Sequence, residues 1–212
     1  WSCWFKRCSV GATQVLVSSS YSSGDEGYFY LSGAGQIGWE TSGSGGNMGA
    51  LYTSAVFRDL SAWYHVVFAV DTTQSTSTNR MKLYINGSQY TWDGGTTQPD
   101  QDKQVYFNVG GTYYPYIGRR HGGDYWDGYI AEVAQVDDAQ LGASHFGEFD
   151  SNSPNVWKPK DLSDLTFGGN TSYYLDFQDS SSLGNDVSGN NHDFNAQNLT
   201  SVDQSTDTCT NN

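Results

Sequence analysis

Ala62-Trp63-Tyr64-His65-Val66-Val67-Phe68-Ala69-Val70-Asp71 is the most informative run of the sequence. It is short, rich in β-branched and aromatic residues, and apolar on both alternating sets of positions. A buried strand has that pattern, whereas a surface helix shows one apolar stripe. The run therefore predicts a strand central to a sheet and covered on both faces, with Val67, Ala69 and their neighbours buried. Just downstream, Arg80-Met81-Lys82-Leu83-Tyr84-Ile85-Asn86-Gly87 alternates and then ends in Asn-Gly. Both turn residues tolerate positive φ, so this pair is a hairpin signal, and Tyr90-Thr91-Trp92 is the expected return arm.

Outward from this hairpin the same grammar repeats. Trp1, Cys3 and Phe5 alternate with Ser2, Trp4 and Lys6, and strands are expected at Gln14 to Val17, Gly27 to Leu31, Gln104 to Val109, Tyr114 to Gly118 and Trp126 to Val136. Gly, Ser, Asn and Asp clusters separate them. One helix is expected, Asp138 to Phe146, with Asp138 as its N-cap. After Phe149 the character changes. Residues 151–155 read as a loop, 161–165 as a turn, 171–177 as a strand, and 178–191 as a polar stretch with little beyond Leu183 and Val187 to bury. No fixed-period repeat appears, which disfavours a solenoid or propeller. The expectation is an all-β, two-sheet antiparallel sandwich of the jelly-roll kind. Residues 1–149 form the sandwich. Residues 150–212 form an extension whose strand at 171–177 packs on it, with a polar tail leading toward a further domain.

Charge excludes one class of partner. Ten Lys and Arg stand against 23 Asp and Glu, a formal net charge of -13, so a phosphate backbone would be repelled and nucleic acid is not expected. No apolar run reaches the length of a membrane-spanning helix. Cys3, Cys8 and Cys209 are three, so at least one is unpaired and a disulfide framework is not expected. Asn86, Asn170 and Asn198 match the glycosylation pattern by composition alone.

Six segments in order resemble the concanavalin A-like lectin/glucanase, or laminin-G-like, superfamily. They are Trp4-Phe5-Lys6-Arg7, Gly27-Tyr28, Trp63-Tyr64-His65-Val66, Leu83-Tyr84-Ile85-Asn86-Gly87, Tyr116-Ile117-Gly118 and Asp127-Gly128-Tyr129-Ile130-Ala131-Glu132-Val133. Ala131 and Asn86 depart from that pattern where aspartate is usual, which weakens any calcium or turn role tied to those acids. The opening Ser2-Cys3-Trp4-Phe5-Lys6-Arg7 and tail segments such as Leu183-Gly184-Asn185-Asp186-Val187-Ser188-Gly189-Asn190 resemble virion proteins of marine tailed bacteriophages. That resemblance implies a non-enzymatic structural part, a tail fibre or capsid decoration, located on the virion. Its partners would be other virion subunits, in a homo-oligomer or array, and a host-surface polysaccharide. It also implies a strand preceding Trp1. The sheet edge beside it would be occupied by a neighbouring subunit, by upstream residues or, most simply, by the 171–177 strand, whose alternating Tyr173, Leu175 and Phe177 supply one apolar face. The alternative is a secreted bacterial carbohydrate-binding module or glycoside hydrolase-related lectin domain.

Several residues are candidates for chemistry. Glucanases of the superfamily carry Glu-x-Asp-x-Glu on one strand. The nearest match, Glu148-Phe149-Asp150-Ser151-Asn152, lacks the last Glu and reads as a solvated turn. His65 reads as a packed strand residue, and His121 and His192 are lone loop histidines without the partners a zinc site needs. Asp176, Asp179, Asn185, Asp186, Asn190 and Asp193, with Asn191 beside them, have the oxygen-rich character Ca2+ favours, although such residues also build ordinary turns. For a glycan, Tyr113, Tyr114, Arg119, Arg120, His121, Tyr125 and Trp126, near Asp124, combine stacking faces with hydrogen-bonding groups. Core or subunit contacts use the same residue types.

Overall fold

The computed structural model describes residues 1–22, 25–43, 49–106 and 114–210. Its strands are β1 (Ser2–Arg7), β2 (Gln14–Ser22), β3 (Asp25–Leu31), β4 (Ile37–Ser42), β5 (Ala50–Tyr52), β6 (Tyr64–Val70) and β7 (Met81–Ile85). They continue with β8 (Ser88–Tyr90), β9 (Gly94–Thr97), β10 (Tyr114–Ile117), β11 (Gly128–Gln135), β12 (Gly147–Phe149), β13 (Trp157–Pro159) and β14 (Tyr173–Leu175). The first sheet has the order β14-β11-β1-β6-β7-β8, the second β10-β2-β3-β4-β5-β9, and β12 and β13 form a separate hairpin. The neighbouring strands pair antiparallel.

Alternation assigns the faces. Cys3 and Phe5 of β1, Val66 and Phe68 of β6, and Met81 and Leu83 of β7 turn inward, where they meet Leu16, Phe29, Leu31, Ile37, Trp39 and Leu51 of the second sheet. Phe29 and Phe68 stack across the gap with centroids 3.5 Å apart. Each such side chain contributes about 2–3 kcal/mol by leaving water. As its sequence predicts, β6 is buried on both faces, because Val67 and His65 on its other side are also covered.

That second covering comes from residues 141–209. Val67, Ala134 and Val136 pack on Ala143, Phe146 and Leu162, with Trp157, Leu165 and Phe167 around them. Trp4 and Trp63 pack on Cys209, and Lys6 Nζ donates to Asp207 Oδ2 at 2.7 Å. The three cysteines are free. β14 pairs with β11, Val133 opposite Leu175, and its far side is closed by the 184–194 loop. There Tyr174 N–H donates to Asp186 Oδ1 at 2.8 Å and Val187 N–H to the Tyr174 carbonyl at 2.8 Å. A sheet edge is thereby denied to other chains.

Four local expectations change. The Asn86-Gly87 turn forms, with φ of 45° and 85°, but the return arm is Ser88–Tyr90, opposite Leu83–Ile85. Trp92 instead donates its indole N–H to the Met81 carbonyl at 3.0 Å. The helix at 138–146 is replaced by a single 3-10 turn, Ala143–His145. Asp138 has φ of 60°, Asp137 is tied to Asn170 and Thr171, and Gln140 reaches the carbonyls of Ala69 and Asn79. These bonds outcompete the helical ladder. Gln104 to Tyr106 are not in a strand, and the rest of that expected element lies outside the described residues. The C-terminal strand is shorter, Tyr173–Leu175, because Phe177 takes φ of 56°.

Candidate functional site

The outer face of the second sheet follows from register. Tyr28 and Tyr30 lie opposite Glu40 and Gly38, and those in turn lie opposite Ala50 and Tyr52. Tyr52 lies opposite Gly94 on β9. Because Phe29, Trp39 and Leu51 point inward, these residues point out. Tyr30 lies flat over Gly38, where a Cβ would stand 2.5 Å from its Cζ. Tyr52 lies likewise over Gly94 and Gly95, and a Cβ on Gly95 would be 2.5 Å from its Cε1. Glycine is required at these positions so that an aromatic ring can rest on the backbone. Tyr52 nevertheless keeps 40% of its surface exposed.

Polar groups border the rings. Tyr28 packs against Tyr30 at 5.5 Å and hydrogen-bonds Glu40. Burial, helped by the Glu40 charge, pushes both tyrosine pKa values up, so their hydroxyls are donors at all ordinary pH. Arg120 sits over the Tyr28 ring at 4.6 Å and grips Glu26 with two bonds, Nη2 to Oε1 at 2.6 Å and Nε to Oε2 at 3.1 Å. Asp124 adds a longer contact at 3.5 Å. Arg119 lies between two rings, 4.7 Å from the Tyr116 centroid and 5.5 Å from that of Tyr125.

The sequence-predicted glycan set is thus split. Arg119, Arg120 and Tyr125 do gather at the β10 border of this face. Tyr125 is 64% exposed, and His121 is exposed in the Arg120–Gly123 turn. Trp126 leaves the set: its ring meets Phe5 edge-on at 5.4 Å as part of the core wall. Tyr114 belongs to β10, opposite Ser20, and Tyr113 lies outside the described residues. Tyr28, Tyr30, Glu40 and Tyr52 were missed. The signal was available in Gly38 and in Gly94-Gly95, glycines inside strand patterns that mark close approach of another group.

The remaining candidates have structural roles. His65 is fully buried, stacked on Trp4 at 4.8 Å. Trp157 Nε1 donates to its Nδ1 at 3.0 Å, so the ring proton is on Nε2, which donates to Ser2 Oγ at 2.8 Å. Burial lowers its pKa to about 3. Glu148 and Asp150 share Lys158, at 3.5 and 3.2 Å, on the β12–β13 hairpin. The aspartates expected around calcium are turn builders. Asp186 accepts from the N–H groups of Tyr174, Ser188 and His192 and from Ser188 Oγ. Asp193 accepts from Asp186 N–H, Asp176 from Gln178 N–H, and Asp179 from Ser181. Asn190 donates to the carbonyls of Phe167 and Ser172, and Asn185 N–H bonds the Ser182 carbonyl. Among the described residues no three His, Cys, Asp or Glu side chains converge on a point where they would hold a metal ion.

Solved structures similar to this chain include the CBM40 of Ruminococcus gnavus IT-sialidase bound to α2,3-sialyllactose, 22% identical, TM-score 0.42, covering 60% of this chain and 67% of that one. Another is the native heptameric SAP-like pentraxin from Limulus polyphemus, 16% identical, TM-score 0.37, covering 62% and 59%. No curated protein matches the chain significantly. Residues 1–143 match a laminin G family model described as concanavalin A-like lectin/glucanases superfamily. The matched segment contains most of both sheets and the tyrosine-bearing face, and the chain belongs to that superfamily.

Proposed function

We propose that this protein is a non-catalytic carbohydrate-binding module whose sugar-facing surface is the outer face of the second sheet. The observation that carries the reading is the pair Tyr30 and Tyr52, each laid flat over strand glycines on the outer face of the second sheet, with Tyr30 half-buried and Tyr52 exposed. Flat, immobilised rings suit the apolar C–H faces of pyranoses, and Glu40, Arg119 and the tyrosine hydroxyls stand ready for sugar hydroxyls. Such contacts are individually weak, so display of many copies would make them effective. The resemblance of the opening strand and tail to phage virion proteins supports a repeated setting of that kind, a fibre or capsid decoration facing host-surface polysaccharide. Labelling of intact particles with an antibody to this chain tests the setting.

Affinity electrophoresis against a panel of neutral and acidic polysaccharides tests the binding. Wild-type protein is expected to be retarded by at least one polymer, and Tyr30→Ala with Tyr52→Ala to abolish the retardation while the fold persists. If no polymer retards the wild type, or the double variant behaves like it, the reading fails.

A further inference from the structure

We infer that the second-sheet face takes the interior of an extended, uncharged, equatorially linked polysaccharide laid across the strands, and reads sugars two apart. This rests on the carbohydrate reading above. Tyr30 is on β3 and reaches over Gly38 on β4, whereas Tyr52 is on β5 and reaches over Gly94 and Gly95 on β9. Both rings lean in the same direction across the sheet, so their separation stays at two strand spacings, about 10 Å. One strand spacing is close to the advance of one equatorially linked pyranose along its chain. In a β1,4-linked ribbon successive sugars are turned over, so alternate units present the same face. Two rings two strands apart therefore match units n and n+2, and a trisaccharide is the shortest ligand that covers both.

Charge selects among such chains. The row Tyr30–Gly38–Tyr52–Gly94 contains no ionisable group other than tyrosine. Along the neighbouring row Arg120 is neutralised by Glu26, and Glu40 is exposed beside Tyr28. Arg119 is held at the β10 border between Tyr116 and Tyr125. With a net charge of -13 on the whole molecule, a polyanion would meet repulsion with few cations to offset it. A neutral chain meets none.

The test is calorimetry on the intact protein with β1,4-linked gluco-oligosaccharides from one to six units, the α1,4-linked series, and oligogalacturonides. The expected result is a rise in affinity of at least tenfold between disaccharide and trisaccharide in the β1,4 series and a smaller or absent step in the α1,4 series. Tyr52→Ala should remove that step, and Tyr52→Phe should retain it, so the second variant guards against loss of fold. Equal affinity for disaccharide and trisaccharide would overturn the two-ring spacing, and preference for oligogalacturonides would overturn the uncharged ligand. In either case carbohydrate binding itself would stand. If polysaccharides bind elsewhere, so that Tyr30→Ala and Tyr52→Ala have no effect, or if no sugar binds at all, the parent reading fails instead.

Discussion

Lowering the pH should destabilise this protein through His65 before most of its carboxylates begin to titrate. In the unfolded chain a histidine ionises near 6.5. In the fold, burial holds His65 at about 3, and protonating Nδ1 would face it toward the Trp157 indole N–H, which can only donate. The unfolded state therefore takes up the proton first. This contribution to stability is complete above about pH 6.5 and is lost progressively as the pH falls toward 3. The slope is about 1.4 kcal/mol per pH unit, so roughly 2.7 kcal/mol has gone by pH 4.5. Guanidinium unfolding of wild type and His65→Gln at several values between pH 7.5 and 4.5 isolates the effect. Glutamine keeps one acceptor and one donor without an ionisation. Carboxylates common to both proteins cancel in the difference, and the wild type should lose about 2–3 kcal/mol more than the variant. Parallel stability curves over that range would refute the buried, neutral assignment.

Asp186→Ala leaves the N–H groups of Tyr174, Ser188 and His192 without their acceptor, and should cost about 3 kcal/mol. Hydrogen exchange should report it first at Tyr174 and the 186–192 loop. Because those donors already occupy the carboxylate, EDTA should leave the thermal midpoint unchanged, and a fall of several degrees reversed by Ca2+ would show that the loop is a cation site after all. Arg120→Met strands the nearly buried Glu26 and should cost about 2–3 kcal/mol. Arg120→Lys should recover only part of this, since an ammonium cannot reproduce the two-bond grip. Both are checked by denaturant midpoints.

The sandwich was legible because β6 and β7 announce themselves twice, by the run from Trp63 to Val70 and by Asn86-Gly87. The central strands of the first sheet follow from the same alternation. What the sequence did not disclose depended on side-chain bonds between distant loops. Asp138 to Phe146 has the spacing of a helix, yet Asp137 and Gln140 find partners near Thr171 and Asn79 that local pattern cannot foresee. β12 and β13 are three residues each, too short for periodicity to register. At the candidate site, Arg119 and Tyr125 were recognised by residue type. Tyr30 and Tyr52 were not, because their setting depends on which glycine the register places beneath each ring. Trp126 was misplaced for a related reason: an aromatic next to an arginine-rich turn looks the same in sequence whether it faces a ligand or Phe5.

The covering of the first sheet by residues 141–209 bears on how such modules travel between genes. The family match stops at residue 143, but Tyr173 and Leu175 belong to the same buried cluster as Trp1 and Phe29, and Cys209 seals Trp4 and Trp63. A recombination event that cut after the matched segment would carry away a sheet with its tryptophans bare, a sticky fragment prone to aggregate. The piece that can be transplanted intact reaches to Cys209, so the unit that packs together is longer than the unit of resemblance.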